Sequence, residues 1–163
     1  MTDVPAIRRG VAGEVEPALA VWRAAEEARR GGPAAPPHGE RVRAHVENPD
    51  AFLFVAESGG AVVGMAVGMQ GLADDGAGPP IRDLCHVGAV FVRPDRWGEG
   101  IGGALVDAVL AEARTRGYDR AQLWTNAQNP RAHRLYEARG FARTGREGQN
   151  DLEETIVHYA RRL

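Results

Sequence analysis

The amino-acid sequence predicts an α+β fold, and three patterns carry the prediction. Short β-branched and aromatic runs pair about glycines in the first half. One strongly amphipathic helical stretch lies past mid-chain, and from there the order is strand, helix, strand, strand. In chain order, residues 6–9 read as a short strand. Residues 17–30 place Leu19, Val21, Trp22 and Ala25 at helical spacing among charges. Residues 31–39, crowded with glycine and proline, are expected to form a mobile loop, because proline removes a donor and glycine supplies freedom. Residues 40–48 read as a short helix stopped by Pro49. Residues 52–56 and 61–67 flank Ser58-Gly59-Gly60 as a hairpin. After a second Gly/Pro/Asp loop at 74–80, residues 84–92 make a third apolar strand that ends at Arg93-Pro94.

Val106, Val109, Leu110 and Ala113 recur at i, i+3, i+4 and i+7, the helical template, and Gly117 stops that helix. Residues 121–125 are a strand and residues 130–139 a helix with proline in its first turn and Gly140 at its end. Residues 141–146 and 155–160 close the chain as strands. No repeat and no long linker interrupts this order, so residues 1–163 are expected to form a single domain.

Composition narrows the function. The apolar fraction is 44% and the charged fraction 26%, which permits a packed core. A net charge of -2 offers no global positive field for a polyanion, so neither nucleic acid nor a membrane surface is expected as a partner. All 20 basic residues are arginine, which removes P-loop lysine and Schiff-base chemistry. Cys85 is the single cysteine, which excludes an intramolecular disulfide and a multi-cysteine zinc site; no metal site is expected. A reducing cytoplasm fits that usage, and neither a signal peptide nor an apolar run approaching ~20 residues is legible.

The most informative stretch runs from Val90-Phe91-Val92 through Arg93-Pro94-Asp95-Arg96-Trp97 to Gly98-Glu99-Gly100-Ile101-Gly102-Gly103. It is a buried strand, a turn, and a glycine-rich lead into the amphipathic helix. Backbone lacking side chains approaches an anion closely, and the free N–H groups of a first helical turn point at it. Each hydrogen bond to a charged group contributes about 1.5–3 kcal/mol, so three or four approach the ~8 kcal/mol of a micromolar ligand without any lysine. The bland alternative is that these glycines only allow close helix-sheet packing. Gly98, Gly100 and Gly103 also fit G-x-G-x-x-G, but a dinucleotide fold needs the glycines directly after its strand and an acid ending the next one. Here the next strand ends in Thr125-Asn126, and Asp119 precedes it.

Downstream, Asn129, Ala132 and Tyr136 are spaced by three and four and share a helix face. Taken together, the segment from Asn129 to Phe141 and the glycine cluster resemble the GNAT superfamily of acyl-CoA-dependent N-acetyltransferases over about residues 84–160. The resemblance implies a three-layer fold, with a mixed, mostly antiparallel sheet of about six to seven strands and about four flanking helices. It also implies acetyl-CoA as acyl donor, a small-molecule or peptide amine as acceptor, and is compatible with a homodimer. By the same resemblance, Val90, Phe91 and Val92 offer backbone to a pantetheine arm. Arg96, Trp97, Gly98, Glu99, Gly100, Ile101, Gly102 and Gly103 wrap a diphosphate, Asn129 lies near the pantetheine, and Tyr136 lies near the sulfur. One departure stands out: the family usually has glutamine or arginine where this chain has Trp97, and Arg96 is the side chain available to replace it in part.

Acetyl transfer makes specific demands. An alkyl amine of pKa about 10.4 costs roughly 4.6 kcal/mol to neutralise at pH 7, so a base or water chain is needed. The thiolate that departs needs a proton, which a phenol such as Tyr136 can supply, and a backbone N–H near Val92 can stabilise the oxyanion. His86, on the strand leading to the glycine loop, is the candidate base, with Asp83, Glu26 and Glu27 as weaker carboxylate candidates. Cys85 reads as a small core residue rather than an acyl carrier, and His38 as a solvated loop histidine. The class outside catalysis is an acyl-CoA sensor that keeps the glycine cluster but lacks a working acceptor site.

Overall fold

Pairing of the apolar runs gives one sheet in the order β1-β2-β3-β4-β5-β7-β6, seen in the computed structural model, which describes residues 3–163. Met1 and Thr2, the start of the expected single domain, lie outside the described residues. The elements are β1 (Ala6–Arg9), α1 (Val15–Arg30), α2 (Pro36–Glu47), β2 (Phe52–Ser58), β3 (Ala61–Leu72), β4 (Pro80–Val92), α3 (Ile101–Thr115), β5 (Arg120–Asn126), α4 (Pro130–Glu137), β6 (Ala142–Gln149) and β7 (Thr155–Arg162). Neighbouring strands run antiparallel except β4 and β5, which are parallel. The fold is therefore a seven-stranded mixed sheet with four α-helices among the described residues, in α+β layering.

Two apolar clusters define the layers. On one face α3 buries Leu105, Val106, Val109, Leu110 and Ala113 against Phe52, Ala66, Cys85 and Val87. Each fully buried Leu or Val contributes about 1.5–3 kcal/mol, so this helix is held by packing rather than propensity. On the other face α1 and α2 set Leu19, Trp22 and Val42 against Met65, Val67 and Ala89. Close approach of α3 comes from glycines in the sheet: a Cβ at Gly64 would stand 2.9 Å from Leu105, and one at Gly68 would stand 2.9 Å from Val109.

Two expectations are corrected by the structure. The glycine-proline segment is an irregular connection only over residues 31–35, because Pro36 and Pro37 occupy the first turn of α2, where their missing N–H groups have no helical partner to lose. Strand β4 starts at Pro80, before the expected Leu84, and carries a bulge the pattern concealed. Val67 pairs with Ala89 and Gly68 with Val87, leaving Gly88 as the extra residue. The extra residue reverses side-chain parity, so Val87 faces α3 whereas Ala89 faces α1 and α2. Among the described residues, no helix is long and apolar enough to cross a membrane.

Candidate active site

Strand β4 pairs with β5 only through Leu84, Cys85 and His86, opposite Arg120, Ala121 and Gln122. Beyond that short ladder the two strands have no register, and a cleft of about 320 Å³ opens beside β4. Its walls are Val90, Phe91 and Val92 of β4, the turn and helix start from Arg96 to Gly103 apart from Glu99, one face of α4, and Ala25, Glu26 and Arg29 of α1. One edge of the β4 segment is occupied, since Val90, Phe91 and Val92 pair with Ala66, Met65 and Gly64.

The glycine loop is shaped by two backbone conformations. Gly98 and Gly100 have φ of 86° and 81°, in the left-handed region that an L side chain resists, with nothing within 4 Å of a Cβ built on either. These two are therefore kept for conformation and not for packing. Gly100 is also the N-cap of α3 and provides no side-chain cap. Among the described residues, no group accepts a hydrogen bond from the amides of Gly98 through Gly103. Five of these six donors belong to residues on the cleft wall, and free amides at a helix N-terminus can bind an anion. Gly103 has a further reason: the Arg139 guanidinium occupies the space where its Cβ would stand, and Arg139 Nε donates to its carbonyl at 3.2 Å.

Tyr136 is buried on α4, with its ring edge-on to Phe141 at 5.9 Å between centroids. Burial pushes its phenol well above the ordinary range, which keeps the proton on oxygen at neutral pH. Its hydroxyl has no hydrogen-bond partner among the described residues, and no fully buried polar side-chain atom there lacks one, so this oxygen opens on the cleft it lines. Asn129 caps α4, its Oδ1 accepting from the Ala132 amide at 3.2 Å, so only its Nδ2 donors face elsewhere.

The far end of the cleft is built from charged side chains. Glu26, buried on α1, holds Arg29 at 2.6 Å and lies 3.8 Å from both Arg30 and His38 Nδ1. The turn between β6 and β7 reaches the same cluster, with Glu154 3.8 Å from Arg29 and 3.5 Å from Arg30, and Asp151 2.8 Å from Arg41. Among the described residues lining the cleft, Glu26 is the one carboxylate.

The family model for the acetyltransferase (GNAT) family matches residues 19–141. This chain belongs to that family. It is 40% identical over 93 residues to a mycothiol acetyltransferase of Thermobispora bispora, covering 57% of this chain and 30% of that protein. It is 34% identical over 113 residues to the mouse probable N-acetyltransferase family 8 member 5, covering 69% of this chain and 48% of the relative. The chain thus spans about a third to a half of the length of these curated relatives. Among solved structures, the fold is shared with Ard1 from Thermoplasma volcanium, with a TM-score of 0.75 at 20% identity over 99% of both chains. It is also shared with the ribosomal-protein-S18-alanine N-acetyltransferase of Escherichia coli, with a TM-score of 0.72 at 20% identity over 97% of this chain and 93% of the other.

Within this GNAT frame, most of the expected cofactor residues converge on one cleft, and three expectations do not fit there. Glu99 turns away and clamps Arg96 through two hydrogen bonds of 2.8 and 3.0 Å, while Arg96 also donates to the Asp3 carbonyl at 2.8 Å. Arg96 is therefore buried and committed, and is not free to replace the side chain missing at Trp97. His86 does not line the cleft. It faces His45 at 6.0 Å between rings and Gln122 at 3.4 Å, and burial together with His45 and His158 pushes its pKa down to about 4. Of the lesser candidates, Asp83 pairs with Arg82 on the surface, Glu27 is exposed, and Cys85 is fully buried with its thiol pushed up to about 12. His38, expected in a solvated loop, sits in the first turn of α2 facing Glu26.

Sequence reasoning missed Arg29, Arg131 and Arg134 as cleft residues. For Arg131 a signal existed: no carboxylate stands within four residues on either side, so no helical ion pair could satisfy it.

Proposed function

We propose that this GNAT chain transfers an acetyl group from acetyl-CoA to a primary amine of a small molecule or a peptide by direct attack on the thioester, in a single domain spanning residues 1–163. The observation that carries the reading is one cleft lined both by five residues with unpartnered amides, Gly98, Gly100, Ile101, Gly102 and Gly103, and by Tyr136 with its proton-bearing hydroxyl. Those amides and the Asn129 Nδ2 donors fit a ligand with phosphates at one end and a pantetheine amide chain behind them. Acetyl-CoA supplies an activated acyl carbon. The acceptor ammonium first gives one proton to solvent water; the neutral nitrogen then bonds to that carbon, the carbon–sulfur bond breaks, the sulfur takes the Tyr136 proton, and a second proton from the nitrogen passes through water to the Tyr136 phenolate. The acceptor enters at the opposite end, beside the Glu26–Arg29 pair. The curated relatives named above, a mycothiol acetyltransferase and a probable N-acetyltransferase, support amine acetylation as the reaction class. The lone buried cysteine suits a reducing cytoplasm.

The test is release of free thiol from acetyl-CoA across a panel of aminoglycosides, polyamines, amino acids and peptide N-termini. Amine-dependent release with at least one member is the expected result. Saturable acetyl-CoA binding with no release over the whole panel would overturn the transferase reading in favour of a sensor.

A further inference from the structure

Charge accounting in the cleft leaves one pair unexplained. Five charged side chains lie along it: Glu26, Arg29, Arg96, Arg131 and Arg134. Arg29 is neutralised by Glu26 at 2.6 Å and Arg96 by Glu99 at 2.8 Å. Arg131 and Arg134, one turn apart on α4, make no ion pair and no side-chain hydrogen bond among the described residues. The nearest helical acid, Glu137, is taken by the Tyr159 hydroxyl at 2.8 Å. Desolvation, and then Arg134, depress the Arg131 pKa, the mark of a cation whose surroundings lack an anion.

Arg131 is also held in place. Its guanidinium lies over the Trp97 ring, 3.7 Å from the centroid, and that ring is pinned by a 2.7 Å hydrogen bond from Nε1 to the Val92 carbonyl. Stacking on an indole fixes the guanidinium plane and leaves its in-plane N–H donors free for an oxyanion. Trp97 thus links the strand end, the glycine loop and α4 across the mouth of the cleft.

We propose that Arg131, laid on Trp97, binds a phosphate group of the acyl donor, so that α4 completes the anion site that the glycine loop begins. This rests on the donor reading above. The ligand chemistry is a phosphate oxyanion, from either the diphosphate or the ribose 3′-phosphate of CoA.

Calorimetry on the full chain tests it with CoA and 3′-dephospho-CoA as probes. Arg131→Gln, at an exposed position, is expected to weaken CoA about tenfold, the loss of one hydrogen-bonded charge. Arg131→Lys should recover only part, since an ammonium neither stacks nor forks in the same way. Trp97→Leu should also weaken CoA, through loss of the platform. If the Arg131→Gln deficit is equal on both probes, the partner is the diphosphate; if it vanishes with 3′-dephospho-CoA, the partner is the 3′-phosphate. The inference is overturned if Arg131→Gln binds CoA as the parent does, or if Arg134→Gln loses as much, since then distant charge and not the stacked contact matters. Failure of the unaltered chain to bind CoA would take down the proposed donor along with it; normal binding by the parent with an indifferent Arg131 removes this inference alone.

Discussion

The two ends of the cleft are made of different material. At the α3 end the free polar groups are main-chain amides of Gly98, Gly100, Ile101, Gly102 and Gly103, fixed by two left-handed glycines and a helix start. At the α1 end the polar groups are side chains, Glu26 and Arg29, in a cluster that also draws on Arg30 of the same helix and on His38 and Glu154 from two other segments. A site made of amides survives almost any change of side chain that spares the backbone angles, so many different chains can present it. A site made of paired charges changes its preference with each substitution. The first end would then set what is donated and the second what accepts.

The largest effect that sharpens this contrast is expected at the residue between the two ends. Tyr136→Phe removes the proposed proton donor while keeping the ring against Phe141 and Tyr159. Turnover should fall about 100-fold, the low end for general acid catalysis, with acetyl-CoA affinity nearly unchanged. Steady-state kinetics beside calorimetry checks it, and unchanged turnover would remove the phenol from the chemistry.

Gly100→Ala addresses the amide end. Its φ of 81° disfavours a Cβ by about 1–2 kcal/mol, although the space around it is open. Acetyl-CoA affinity should drop about tenfold as the loop relaxes, with little change in the acceptor's KM. Glu26→Gln addresses the side-chain end and should do the reverse, raising the acceptor KM several-fold while acetyl-CoA binding holds. If both substitutions moved the same constant, the division of labour between the ends would be wrong.

The same contrast explains what could be read from the sequence. Strand-helix order, the α3 stripe of Val106, Val109, Leu110 and Ala113, and the glycine loop are local patterns, each set by spacing along one segment. The α1 end is not local: Glu26 meets Glu154 only through Arg29 and Arg30, after the chain has built the whole sheet. The stack of Arg131 on Trp97 likewise joins two segments that share no periodicity. The Gly88 bulge was hidden for a different reason. An apolar run buried on both faces shows no alternation to interrupt, so one inserted residue leaves no mark in its pattern. His86 was misplaced in consequence, because its distance from the glycine loop along the strand was legible but the face it would take was not.

The smallest expected effect concerns that histidine and tests whether it belongs to neither end. His86 has a pKa near 4, below the 6.5 it would have exposed, because burial and then His45 and His158 oppose its charge. Between those values the unfolded chain takes up a proton that the folded chain refuses, so stability is full above about pH 6.5 and declines as pH falls towards 4. His86→Gln, which keeps hydrogen-bonding capacity towards Gln122, should therefore lose less Tm than the parent on going from pH 7 to 5. Turnover at pH 7 should stay close to the parent's, since the imidazole is already neutral there and stands outside the cleft. A variant that melts normally but no longer turns over would instead put His86 in the proton path and make the sheet face beneath α2 a third working part of the site.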